Sequence, residues 1–151
     1  MILPLLFLLL AAPPNPVAWK LEEAPAKPVR PGAVFTVKLV ARIDAGWHLY
    51  WLKPVENGPI ATRIALPEGQ PFRLAARVQA PEPEIVQDAS FGMEVGQYAG
   101  ETVFTLPIRA DASTATGEHR LTASATYQTC NNKVCLPPRT VQLTVPVGVK
   151  R

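Results

Sequence analysis

Runs of lysine or arginine are missing from this 151-residue chain; its 15 basic and 12 acidic residues are spread along the whole length, for a net charge of +3. A nucleic-acid partner needs basic residues gathered into one footprint, so none is expected. Cysteine and histidine are scarce, two of each, which excludes a cysteine-rich scaffold and leaves few candidate metal ligands. No Gly-rich nucleotide loop is present, and no cofactor is expected. No apolar stretch reaches the ~20 residues needed to cross a bilayer. The stretch Ile2 to Leu10, followed by Ala11, Ala12 and Pro13, has the length of a signal-peptide core. Residues 1–12 are therefore read as an export signal, with a hydrophobic first strand or a misplaced start as the competing reading.

Proline, by contrast, is abundant: 17 residues scattered along the chain argue against long helices and for short strands joined by rigid turns. Residues 13–31 are rich in Pro, Ala and charge, with Trp19 the only large apolar side chain, and read as an extended lead-in. From Gly32 onward apolar and polar residues alternate. Phe35, Val37, Leu39, Ala41 and Ile43 form one such run; others lie at 62–66, 72–78, 104–108, 121–127 and 141–147. A period of two makes one face of a strand apolar. Turn signals such as Asp44-Ala45-Gly46, Asn57-Gly58-Pro59 and Thr116-Gly117 separate the runs. The expectation is one all-β domain over residues 32–151, an immunoglobulin-like β-sandwich with no helix.

Between the last two runs stands Tyr127-Gln128-Thr129-Cys130-Asn131-Asn132-Lys133-Val134-Cys135-Leu136-Pro137-Pro138. It reads as a hairpin tip in which Asn supplies left-handed backbone. With Asn132 and Lys133 as the two loop residues, Asn131 faces Val134 and Cys130 faces Cys135 in a non-hydrogen-bonded pair, with α-carbons about 4.5 Å apart. A disulfide there is feasible, but its ring is so short that loop entropy contributes only about 2 kcal/mol. A cross-strand bridge at an exposed tip is the kind that is easily reduced and suited to exchange. Residue chemistry leaves three readings open: a redox pair, a structural staple, and two thiols joined by His48 on a metal. The C-x4-C spacing is wider than a zinc knuckle, no second cysteine pair accompanies it, and no metal site is assigned. His48 as an isolated histidine reads as packed or surface, and His119 as exposed in a turn.

The cysteine segment resembles the active-site hairpin of the amino-terminal periplasmic domain of the thiol:disulfide interchange protein DsbD, whose members show Tyr-Gln-x-Cys, a short polar loop and Cys-x-Pro-Pro. The resemblance extends to Gly46-Trp47-His48-Leu49-Tyr50, to Ser90-Phe91-Gly92-Met93-Glu94 and to Tyr98-Ala99-Gly100-Glu101. It implies an immunoglobulin-like fold, a periplasmic location, and Cys130 and Cys135 as the redox pair of a protein-disulfide reductase. It further implies Phe91 as an aromatic cap over the disulfide, preceded by Asp88, with His48, Tyr50 and Tyr127 around the cysteines. The implied donor is a thioredoxin-like, membrane-linked protein; the implied acceptors are a periplasmic disulfide isomerase or a cytochrome-maturation thioredoxin. The chain departs from the pattern in having four residues between its cysteines, one fewer than the best-known members, and only Asp88 as an acid before the cap. The transmembrane and thioredoxin-like parts are absent, so electrons are expected to come from another protein. The mature chain is expected to be soluble after cleavage or anchored by an uncleaved signal. Cys135 is the expected attacking sulfur, because Leu136-Pro137-Pro138 holds its segment extended. The rival reading is a non-catalytic interaction module with a structural disulfide.

Overall fold

Alternation of inward apolar side chains with more exposed ones, broken only at Val40 and Pro107, marks the four longest strands of the fold. In the computed structural model, which describes residues 14–151, these are β2 (Val34–Ile43), β8 (Glu101–Ala110), β9 (Gly117–Tyr127) and β11 (Arg139–Val149). Val37, Leu39 and Ala41 of β2, Phe104, Leu106 and Ile108 of β8, and Leu121, Ala123 and Ala125 of β9 are all buried in one core. The remaining strands are β1 (Val17–Glu22), β3 (His48–Tyr50), β4 (Arg63–Ala65), β5 (Phe72–Leu74), β6 (Glu84–Asp88), β7 (Met93–Tyr98) and β10 (Thr129–Cys130). No helix occurs among the described residues. The export signal assigned to residues 1–12 lies outside them.

The strands form three antiparallel sheets, ordered β1-β2-β8-β5, β11-β9-β4 and β10-β3-β7-β6. The first two close over the main core, and the third lies against it with one face only. β9 and β11 pair along their whole lengths, from Arg139↔Tyr127 to Val149↔Gly117, so the cysteine segment is indeed the crossing between the legs of a long hairpin.

Two expectations change. Residues 17–22, inside the segment read as a lead-in, are extended but form an edge strand: β1 pairs with β2 from Val17↔Ile43 to Glu22↔Lys38, and buries Val17 and Leu21. The sandwich therefore begins before Gly32. The run expected over 72–78 stops at Leu74. Ala75 donates its N–H to the carbonyl of Pro107, but proline has no N–H to return, and the ladder breaks until Gln79 and Thr105 bond each other.

Candidate functional site

A strand's side chains point alternately to its two faces, and the small sheet β10-β3-β7-β6 uses this to separate fold from site. Leu49 and Tyr98 point into the main core. Tyr50, Val95 and Cys130 point the other way, into a second cluster completed by Val86, Phe91, Met93 and Cys135. His48, Asp88 and Gln97 share that face by parity with Tyr50, Val86 and Val95.

β10 reaches this sheet by leaving the β9–β11 hairpin: Thr129 pairs with Leu49 and Cys130 with His48. The turn that follows has the register read from the sequence. Asn131 donates its N–H to the Val134 carbonyl at 2.9 Å, and Leu136 donates to Thr129 at 2.9 Å. Cys130 and Cys135 stand opposite each other with α-carbons 4.1 Å apart and are joined in a disulfide. Asparagine acts here through its side chain and not through left-handed backbone. Asn131 Oδ1 accepts the N–H groups of Lys133 and Val134, both at 2.8 Å, and no non-glycine residue of the turn has positive φ.

The tip is exposed at Asn132, Lys133 and Val134, but the disulfide is not. Cys130 has no exposed surface, and Cys135 is half-buried. Phe91 packs against their cluster from the β6–β7 loop and meets the Tyr50 ring edge-on at 5.8 Å. That loop is shaped by Asp88. Its Oδ1 accepts the N–H of Ser90 at 2.8 Å and of Phe91 at 3.2 Å, while its carbonyl accepts the N–H of Gly92 at 2.8 Å. Gly92 closes the turn at φ 66°, a conformation that favours glycine.

The second oxygen of Asp88 faces inward. Oδ2 accepts the Tyr50 hydroxyl at 2.8 Å and Gln97 Nε2 at 2.9 Å. Because the Tyr50 proton goes to Asp88, the 3.1 Å contact between Tyr50 and His48 Nε2 is completed with the imidazole N–H as donor. Burial pushes the Asp88 carboxyl up. Hydrogen bonds from Tyr50, Ser90 and Phe91 and the nearby His48 more than offset it, so the net shift is downward and the group is a carboxylate. Burial holds the His48 imidazole below its ordinary range despite the pull of Asp88. Burial, with the hydrogen bond to Asp88, raises the Tyr50 phenol well above its own. At neutral pH one negative charge, on Asp88, thus organises a neutral histidine, a neutral tyrosine and the turn that carries Phe91.

His48, Tyr50, Asp88 and Phe91 therefore gather around Cys130 and Cys135. Tyr127 does not. It lies in the main core against Trp19, ring centroids 5.1 Å apart, and its buried hydroxyl has no partner; parity along β9 points it to the sandwich interior before the chain turns to β10. His119, expected in an exposed turn, is in β9, with Nε2 2.7 Å from the Ala115 carbonyl. Val86, Met93, Val95 and Gln97 were not among the expected site residues; the alternation of Met93 and Val95 with Glu94 after the Ala89–Gly92 turn is the one signal for them, since 84–88 does not alternate. Among the described residues no group of three His, Cys, Asp or Glu side chains could hold a metal ion.

A family model described as "Thiol:disulfide interchange protein DsbD, N-terminal" matches residues 18–146. A search of the curated proteins found no match. Among solved structures, the chain is similar to the DsbD N-terminal domain of Neisseria meningitidis in its reduced form, with a TM-score of 0.52 and 21% identity, covering 74% of this chain and 77% of that one. It is equally similar to the N-terminal periplasmic domain of ScsB from Proteus mirabilis, with a TM-score of 0.52 and 21% identity over 88% of this chain and 45% of that one. The fold is thereby the expected all-β, immunoglobulin-like sandwich.

Proposed function

From the premise that the chain belongs to the family of DsbD N-terminal domains, we propose that it is a periplasmic protein-disulfide reductase that relays two electrons between thiol-disulfide partner proteins through Cys130 and Cys135. The observation that carries this reading is the asymmetry of the disulfide: Cys130 is fully buried and Cys135 partly exposed, with Phe91 packed against the same cluster. A staple needs no such arrangement, and the short ring adds only about 2 kcal/mol to stability.

In the forward half-reaction the cap loop lifts and a thiolate of a thioredoxin-like, membrane-linked donor attacks Sγ of Cys135. A new disulfide forms between donor and Cys135, the Cys130–Cys135 bond breaks, and Cys130 leaves with the electron pair. The donor's second thiol then displaces Cys135. The donor is oxidised to its disulfide, and this protein gains two electrons and two protons as a dithiol. In the second half-reaction the Cys135 thiolate attacks the disulfide of an acceptor, a disulfide isomerase or cytochrome-maturation thioredoxin, and Cys130 resolves the mixed disulfide. A thiolate at Cys130 has no solvent to stabilise it. In this reading His48, its cross-strand neighbour, exchanges that proton, and the Tyr50–Asp88 pair orients its ring.

The deciding experiment equilibrates the protein in glutathione or dithiothreitol buffers and counts free thiols. The expected potential lies above about −300 mV, in the range of exchange proteins. A pair that stays oxidised below that value overturns the reading and leaves an immunoglobulin-like binding module with an internal staple.

A further inference from the structure

On the opposite side of β3's chain continuation, the segment from Trp51 to Thr62 forms one wall of a groove of about 890 Å³ that no part of the redox site uses. The groove opens between the last strands of two sheets, since β4 ends the order β11-β9-β4 and β5 ends β1-β2-β8-β5, and Arg63, Ile64 and Leu74 of these strands line it. In an antiparallel ladder alternate residues aim their N–H and C=O at the partner and the rest aim them outward. β4 therefore presents unpaired backbone groups along the groove.

The walls are apolar and the rim is basic. Trp51, Leu52 and Ile60 face the space, and Ile60 is 43% exposed although it belongs to neither hydrophobic cluster. Lys53, Arg63 and Arg77 line the same groove with no carboxylate among its lining residues. None of the three takes part in an ion pair among the described residues, whereas Lys20, Lys38, Arg42 and Arg73 each do. Lys53 rests over the Trp51 ring at 5.6 Å and keeps its charge facing outward. Free strand edge, alternating apolar niches and unpaired cations on one groove are the features that recognise an extended peptide by strand addition, here one with acidic side chains.

We infer that the groove between β4 and β5 binds an extended acidic segment of a partner protein, which adds a strand to the free edge of β4, places alternate apolar side chains against Trp51 and Ile60, and sets its carboxylates against Lys53, Arg63 and Arg77. The loop forming its wall is tied to the redox hairpin, because Ile60 donates its N–H to Gln128 Oε1 at 3.1 Å and Gln128 directly precedes β10. Binding in the groove is nonetheless a property of the fold and does not require the disulfide to exchange.

The test is a titration of the whole chain, followed by backbone amide shifts and by Trp51 fluorescence taken as the difference from a Trp51→Phe variant. The probe is an end-blocked hexapeptide alternating valine and glutamate; the comparisons are the same peptide with lysine for glutamate, and vesicles of anionic phosphatidylglycerol. The expected result is binding of the acidic peptide, weakened by salt, with the amides of Arg63 to Ala65 among those that shift and the outward-aimed ones among them becoming protected from exchange. The double variant Arg63→Glu/Arg77→Glu, altered only at exposed side chains, should bind it about tenfold or more weakly with an unchanged melting temperature. Equal binding of the lysine peptide, no binding of the acidic one, or a response to vesicles alone would overturn the proposal. A Cys130–Cys135 pair that proves non-exchanging would refute the redox reading and leave this result standing.

Discussion

Replacing Asp88 separates the two tasks its carboxylate performs. Oδ1 holds the turn of the proposed cap through Ser90 and Phe91; Oδ2 holds Tyr50 and Gln97. Asp88→Ala removes both. Ser90 is exposed and Phe91 half-buried, so water replaces part of what their N–H groups lose, and each bond contributes near the low end of its range, about 1 kcal/mol. Together the two cap bonds bias the closed loop by about 1.5–2 kcal/mol, and at about 1.4 kcal/mol per factor of ten their loss raises the open population about ten- to thirtyfold. If attack on Cys135 waits for the cap, the rate of disulfide reduction by dithiothreitol, read as thiol labelling by mass spectrometry, should rise by the same factor. Asp88→Asn keeps an oxygen for the cap and puts an amide N–H₂ where Oδ2 was. Its reduction rate should stay within about threefold of the parent while its stability falls by about 1–2 kcal/mol, because donors now face donors. Equal rates in all three proteins, or an equal rise in both variants, would refute the division of labour between the two oxygens.

Single-cysteine variants should differ in trapping. Cys130→Ala, which retains the reachable Cys135, should form mixed disulfides with an oxidised thioredoxin-like protein faster than Cys135→Ala, whose remaining thiol is buried; equal trapping on a gel would contradict the assigned roles. Stability should depend on pH through His48. Its folded pKa lies below its ordinary value of 6.5, so the unfolded chain binds more protons as pH falls. The His48 contribution is complete above pH 6.5 and is lost as pH drops toward the folded pKa, and urea unfolding should be easier at pH 5 than at pH 7.5. Asp88, also depressed, contributes above its ordinary 3.8 and loses its stabilisation only in stronger acid. His48→Gln should flatten the slope between pH 7.5 and 5; an unchanged slope would assign it to another group. Tyr127→Phe removes a buried hydroxyl without a partner, so stability should hold or rise by up to about 1 kcal/mol with no change in reduction rate, whereas slowed reduction would return Tyr127 to the redox site.

How much was legible in the sequence follows from strand length. β2, β8, β9 and β11 are ten or eleven residues long, enough for alternation to stand out, and the hairpin register around Cys130 and Cys135 followed from two asparagines and the spacing alone. β3 and β10 have three and two residues, too few to show a period, and those are the strands that carry His48, Tyr50 and Cys130. β7 hides for another reason: Gly96 interrupts it, where a Cβ would lie 2.9 Å from Cβ of Trp51. A glycine that reads as a strand weakness is there to let two chains approach. The burial of the disulfide could not be read from the tip at all, because Phe91, which packs against the same cluster, stands some forty residues earlier in the chain, in a turn shaped by a carboxylate half of whose hydrogen-bond partners are backbone.

The position of β10 bears on durability. Every turnover of an exchange protein makes and breaks a covalent bond, and a fold that relied on that bond would be tested to failure in each cycle. Here the legs of the hairpin are fastened by eleven consecutive pairs between β9 and β11, and the tip is fastened a second time by Thr129 and Cys130 against β3. Cutting the disulfide frees only the four residues between the cysteines. The two sulfurs stay neighbours in the reduced state because the backbone keeps them so, and the bond can close again without a search.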